Sequence, residues 1–254
     1  MSKALRVCVD KFLPSELEAE AQKRSVKENP ANALPPGSGS LEIAVIPKKL
    51  WKPGRVLRVR FLGGNPELQQ KVADVAEQWT QFANIQFEFG DDPEAEIRVA
   101  FMQGQGSWSY MGTDALSIPP DRPTMNFGWL TISSSEAEIS RVVLHEFGHA
   151  LGAIHEHQHP EAGFEWNRQA VLDYYMGPPN NWPESQVEFN VLERYSTDVT
   201  QYSTFDTLSI MLYPVPKRFT LGGFEVPWSN TVLSDTDKEF ISTVYPFDDP
   251  TQAS

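Results

Sequence analysis

The chain has 254 residues, enough for one large domain or two closely packed subdomains around a substantial core. Lys and Arg total 21 against 34 acidic residues, a formal net charge of −13 with no basic run, which argues against nucleic acid or an anionic membrane surface as partner. No apolar run approaches the ~20 residues that cross a bilayer, so no transmembrane segment is expected.

Residues 1–30 are charged and lack the apolar centre of a signal peptide. The chain as written is therefore expected to be cytoplasmic or non-classically exported, and secreted if a leader is missing. Leu5 to Val9 alternates like a short strand, with Cys8 on the side of Arg6 and Asp10, where it would be accessible. Cys8 is the single cysteine, so no intrachain disulfide can form, which fits a reducing compartment. Ser15 and Glu18 are spaced as a capping box for a helix running to about Glu28. Pro30 to Ser40 has linker composition. Residues 1–40 are thus expected to form an N-terminal appendage, and 41–254 the main domain.

In that domain Val56 to Phe61 reads as a strand and Gly63 to Pro66 as a turn. Glu67 to Phe82 has helical spacing, with Leu68, Val72, Val75, Ala76, Trp79 and Phe82 on one face. Ile85 to Phe89 and Glu96 to Phe101 alternate as strands, the second with Ile97, Val99 and Phe101 inward. Gly104 to Tyr110 reads as a Gly/Ser loop. Thr124 to Trp129 reads as an edge strand bounded by Pro123. Ser133 to Glu138 carries two overlapping Ser-x-x-Glu starts for a buried helix, which Gly152 ends as a left-handed residue. Asn167 to Tyr175 and Ser234 to Tyr245 are expected to be helical, the latter stopped by Pro246.

All five histidines lie between His145 and His159. His145-Glu146-Phe147-Gly148-His149 places two imidazoles one helical turn apart on one face, within reach of one zinc ion, and Glu146 beside them as a general base. Histidine is 5 and acid 34 of 254 residues, so His-acid-x-x-His arises by chance at roughly 5 × 10⁻⁵ per position. The pattern runs on through Gly152 to His155, which lowers the odds by roughly another 10⁻³. On a continuous helix His155 would lie about 15 Å along the axis from His145, so the chain must turn, and Gly152 allows it. Three histidines leave an open fourth position, the catalytic kind of zinc site. The plain alternative is a structural or vestigial site, which would want a fourth protein ligand. His157 and His159 lack the ligand spacing and read as outer or surface residues.

These residues resemble the metzincin clan of zinc endopeptidases, and Glu156 after His155 resembles the astacin family in particular. Ser209-Ile210-Met211-Leu212-Tyr213 is similar to the astacin Met-turn. The similarity covers roughly 57–246, with specific motifs only at 145–156 and 209–213. It implies an α+β fold: a twisted mixed sheet, an active-site helix and a second long helix, then an irregular C-terminal subdomain ending in a helix. The subdomains would be about 41–152 and 153–254. It also implies one zinc ion on His145, His149 and His155, Met211 beneath it, and Tyr213 as a stabiliser of the transition state that can ligate zinc at rest. Without the resemblance, Met211 and Tyr213 would be core residues. In astacins the residue at Glu156 pairs with the freed N-terminus. The departures are the missing disulfides, His159 to Gly163 in place of the usual Arg and Asp residues, Leu212 for a histidine and Ala153 for a phenylalanine. This is the pattern of a divergent, microbial-type relative.

The expected activity is zinc-dependent cleavage of protein or peptide substrates, with Glu146 as base, Tyr213 on the oxyanion and substrate added to the strand at 124–129. A non-catalytic zinc-binding module on a peptidase scaffold is the alternative. A third expectation is a zymogen, in which residues 1–40 brake the enzyme and the Cys8 thiolate occupies the open zinc position; the plain reading of Cys8 is an ordinary strand residue.

Overall fold

Helix α1 (Ser15–Glu28) begins at Pro14, which takes the N-cap place with no side-chain cap. A capping box needs its Ser at that extended position, and Ser15 already lies inside the helix, so the expected Ser15–Glu18 box does not form. The computed structural model describes residues 8, 11, 13–33, 49–178, 180–194, 204–227 and 229–248. Apart from Cys8, the strand expected at 5–9 lies outside these residues, as do positions 34–40 of the expected linker and the start of the main domain near Leu41. α1 docks against the 3-10 turn Gly112–Ser117. Thr113 Oγ1 donates to Ser25 Oγ at 2.8 Å, and Asn32 Nδ2 donates to Ser25 Oγ and to the Leu50 carbonyl.

The alternation of Leu57 and Val59 makes β1 (Arg55–Phe61) an inner strand, with both side chains buried. Asn65 caps α2 (Pro66–Ala76), whose Pro at the first position has no N–H to satisfy. The helix expected over 67–82 ends at Ala76 and passes into a 3-10 turn, Trp79–Gln81. Trp79 is buried there with its indole N–H on the Leu144 carbonyl, a tertiary contact that overrides the helical spacing.

β2 (Ile85–Phe89), β3 (Ile97–Ala100), β4 (Trp108–Ser109) and β5 (Met125–Asn126) complete a sheet of order β2-β1-β3-β5-β4, in which only β4 runs antiparallel to its neighbour. β3 is buried on both faces, because Arg98 turns inward onto the carbonyls of Ala95, Ile118 and Arg122. The stretch 124–129 is therefore not an edge: β5 pairs with β3 on one side and β4 on the other. The cause is Asn126, whose buried amide bonds Met102 N and Gly106 O and folds the Gly-rich loop back as β4. Gly128 allows the close approach, since a Cβ there would lie 2.1 Å from the Gly106 carbonyl oxygen. The edge belongs to β4, within the segment expected to be a plain loop, and the N-terminal segment lies along it through parallel bridges Cys8–Ser107 and Lys11–Tyr110.

α3 (Glu136–Ala150) starts at Ser135, which accepts from Glu138 N, and is buried from Arg141 onward. Its apolar face packs on α2 and the sheet, with Phe147 edge-on to Phe87 at 5.1 Å. Each such fully buried Val, Leu or Phe contributes about 1.5–3 kcal/mol. Beyond α3, β6 (Glu165–Trp166) pairs antiparallel with β7 (Thr220–Leu221) as a separate two-stranded sheet. Between them lie α4 (Arg168–Met176), capped by Asn167, and α5 (Glu184–Val187), which runs into a π turn, Glu188–Leu192. α6 (Asp235–Val244) closes the described chain with a full capping box between Ser234 and Asp237. This is the expected α+β arrangement: a mixed sheet, two helices against it, and an irregular half ending in a helix.

Candidate active site

α3 delivers His145 and His149 from one face of consecutive turns, and Gly152 then reverses the chain. Its φ is +93°, Gly152 N bonds His149 O at 2.8 Å, and Ala153 N bonds Gly148 O at 2.9 Å. That paired closure is the Schellman end of a helix, which satisfies the last free carbonyls and needs a left-handed residue. The turn brings His155 back beside the helix end. Gly152→Ala is expected to cost about 1–3 kcal/mol in strain, since a Cβ would also meet Leu50 Cδ2 at 2.9 Å. The measurement is the urea midpoint; an unshifted midpoint would show that the reversal does not depend on glycine.

The three Nε2 atoms are separated by 3.2 Å (His145–His149), 3.2 Å (His145–His155) and 3.0 Å (His149–His155). His145 Nδ1 donates to the Ile210 carbonyl and His149 Nδ1 to the Ala153 carbonyl, each at 2.8 Å. A carbonyl only accepts, so the proton of each ring sits on Nδ1 and each Nε2 presents a lone pair. Burial, and then the neighbouring His149, hold the pKa values of His145 and His155 well below the ordinary imidazole value. Neutral imidazoles with lone pairs converging in a buried space are a ligand set for a cation. The spacing also approaches the roughly 3.3 Å expected between nitrogens of a tetrahedral zinc site with ~2.0–2.1 Å bonds. His145, His149 and His155 form the one such cluster among the described residues.

Around this set, Glu146 is 0 % exposed on α3. Met211 lies under the helix, its Sδ only 2.4 Å from where a Gly148 Cβ would stand, so the glycine between the two histidines admits the sulfur. The Tyr213 ring lies 4.1 Å from His155, 4.7 Å from His157 and 5.5 Å from His145, between centroids. Its hydroxyl donates to the Cys8 carbonyl.

One expectation about exposure is overturned here. Cys8 is 2 % exposed, not accessible, because it bridges to Ser107 beside β4 and packs in an apolar cluster with Val171, Leu172 and Tyr213. His157 and His159 are buried, which decides between outer and surface positions in favour of the former, and the His157 ring lies 5.1 Å from that of His155 between centroids. His157 donates from Nε2 to the Asn190 carbonyl in the π turn, and His159 Nδ1 accepts from Glu161 N. Neither joins the cluster of three.

Glu156 N donates to the Met211 carbonyl, and its carboxylate accepts from Asp206 N at 2.7 Å, tying the loop of the third histidine to the turn below. Burial pushes its pKa up to about 8, with the Asp237 and Asp206 charges adding and the Asp206 N–H opposing. Glu156 and Asp237 face a pocket also lined by Trp79, Ile154, His159 and Phe240. Spacing in the sequence does not single out Asp237 or Ser209, which hold that turn. The one signal at Asp237 is its place three residues after Ser234 in a helix cap.

The family model for astacin, a peptidase family, matches residues 45–238. "Zinc metalloproteinase nas-38" of Caenorhabditis elegans is 28 % identical over 152 residues, which are 58 % of this chain and 17 % of that much longer relative. Two solved structures of myroilysin are similar. One is 50 % identical with a TM-score of 0.77, over 81 % of this chain and 99 % of the other. The second is 44 % identical with a TM-score of 0.66, over 96 % and 92 %. High choriolytic enzyme 1, a hatching enzyme zinc-protease from Oryzias latipes, is similar in fold at 14 % identity, with a TM-score of 0.54 over 85 % of this chain and 100 % of that one.

Proposed function

The chain belongs to the astacin family, and on that premise we propose that it is a zinc-dependent endopeptidase with Glu146 as general base and Tyr213 as oxyanion donor. The observation that carries this is the trio of buried Nε2 atoms within 3.2 Å of one another, with two of the rings locked from behind by carbonyls so that their Nε2 atoms present lone pairs. His145, His149 and His155 would hold a zinc ion, which would supply Lewis acidity at the scissile carbonyl and lower the pKa of a bound water toward ~7. Glu146 takes the proton of the attacking water and returns it to the leaving amine. The Tyr213 hydroxyl donates to the developing oxyanion. Substrate adds to the outer edge of β4, in the place that Cys8 and Lys11 take here, rather than to 124–129.

That edge, and the Tyr213 hydroxyl, are engaged by the N-terminal segment. This supports a latent form in which the segment holds the substrate's place. The test compares the full chain with residues 41–254 in zinc content and in digestion of a peptide library. The shorter chain should carry one zinc and cut internal bonds, and the full chain should cut more slowly. Equal rates would remove the brake. Zinc bound with no cleavage by either chain would favour the non-catalytic module. Cys8→Ala is expected to raise full-chain activity; unchanged activity and unchanged zinc coordination would remove the thiol from the account.

A further inference from the structure

The Met-turn is held from below by a carboxylate that belongs to a different element. Asp237, buried in the first turn of α6, accepts from Ser209 Oγ at 2.7 Å on Oδ1 and from Ile210 N at 2.8 Å on Oδ2. Ser209 Oγ in turn accepts from Met211 N at 3.0 Å. The peptide that carries the Met211 N–H also carries the Ile210 carbonyl, and that carbonyl accepts from His145 Nδ1 at 2.8 Å. An unbroken series of donors and acceptors therefore runs from the His145 ring through the 210–211 peptide and the Ser209 hydroxyl to the Asp237 carboxylate. Every link points the same way, toward the negative charge, so each bond polarises the next.

We propose that Asp237 is a positioning residue for the metal centre, fixing the orientation of the His145 ring and strengthening its lone pair through Ser209 and the 210–211 peptide. Histidine ligands commonly donate their outer N–H to a carboxylate or carbonyl that fixes the tautomer and raises ligand basicity. Here the carbonyl is itself backed by a charge two hydrogen bonds away. The Oδ2 contact to Ile210 N pins the preceding peptide, so the carbonyl cannot swing off the imidazole. Asn230 adds a second restraint, donating to the Thr207 and Ser209 carbonyls. Asp237 also closes the α6 capping box with Ser234, where its Oδ2 accepts from Ser234 N and its own N–H donates to the Ser234 hydroxyl. The hydroxyl half of that box does not touch the carboxylate and can be removed separately from the relay.

The inference rests on the zinc reading of the site, and its test distinguishes the two. Zinc affinity of the full chain is measured by competition with a chelating dye, alongside the visible spectrum of the cobalt-loaded protein. Asp237→Asn, which puts an amide N–H against one of the donors, and Ser209→Ala, which cuts the relay at its middle, should each weaken zinc binding by about tenfold or more. The double variant should lose little more than either alone, because both act in one series. Ser234→Ala removes the hydroxyl half of the helix cap while leaving the relay whole, so it should lower the melting temperature and leave zinc affinity and the cobalt spectrum unchanged. Wild-type affinity in Asp237→Asn overturns the proposal, as does a Ser234→Ala variant that weakens zinc equally. Should Asp237→Asn fail to fold, Ser209→Ala decides by the same measure. A wild-type chain that binds no zinc overturns the metal reading itself.

Discussion

Glu146→Gln is expected to retain one zinc per chain and lose cleavage by about 10²- to 10⁴-fold in kcat, the usual worth of a positioned acid–base group. The substitution keeps volume and shape, so α3 should fold unchanged around a side chain that is wholly buried. It removes only the capacity to take a proton. Because His145 and His149 are locked by the Ile210 and Ala153 carbonyls and not by Glu146, their geometry survives the change. The measurement pairs metal analysis with peptide digestion of wild type and variant under identical conditions, in whichever form of the chain shows turnover. Equal cleavage by both would remove Glu146 from the mechanism, whereas loss of zinc together with activity would make it a determinant of the site's structure instead.

What was legible in the sequence was local. The spacing of His145, His149, Gly152 and His155 is set by one helix and one reversal, and both follow from helical periodicity and the freedom of glycine. The caps at Ser135 and Ser234 are legible for the same reason, since each acts within three residues. Contacts made between distant segments left no such trace. β4 is two residues long in a Gly/Ser stretch, and its pairing depends on Asn126 and on Gly128 approaching Gly106. The reach from Asp237 to Ser209 spans 28 residues, and that from Tyr213 to Cys8 spans 205. Alternation misjudged Cys8 because it assumes one wet face, and the Cys8 side chain is instead packed in an apolar cluster. α2 stopped short of its pattern because the Trp79 indole found the Leu144 carbonyl.

Removing the metal has the second large expected effect, on activity and stability together. Without a cation, the Nε2 lone pairs of His145 and His149 face each other at 3.2 Å in a buried space, with His155 Nε2 at 3.0–3.2 Å from both. Burial disfavours the protonated form of His145 and His155, so a bound proton is a poor substitute for the metal there. Zinc at 1,000 times its dissociation constant should therefore stabilise the chain by about 4 kcal/mol, and a strong chelator should remove both that increment and all cleavage, reversibly. The loss should be local. Amide exchange should rise at the C-terminal end of α3, through 153–159 and in the 209–213 turn, which are joined through the histidines, Glu156 and Ile210. β2 and the start of α2, which meet the site only through the core, should keep their protection. His155→Ala provides the control: its melting temperature should no longer respond to zinc, since the two ligands left on α3 cannot enclose an ion without the third. A melting temperature indifferent to chelation in the wild type would mean that the trio does not hold a tightly bound metal. Protection lost evenly across the sheet would mean that the ion supports the whole fold rather than the junction between α3 and the Met-turn.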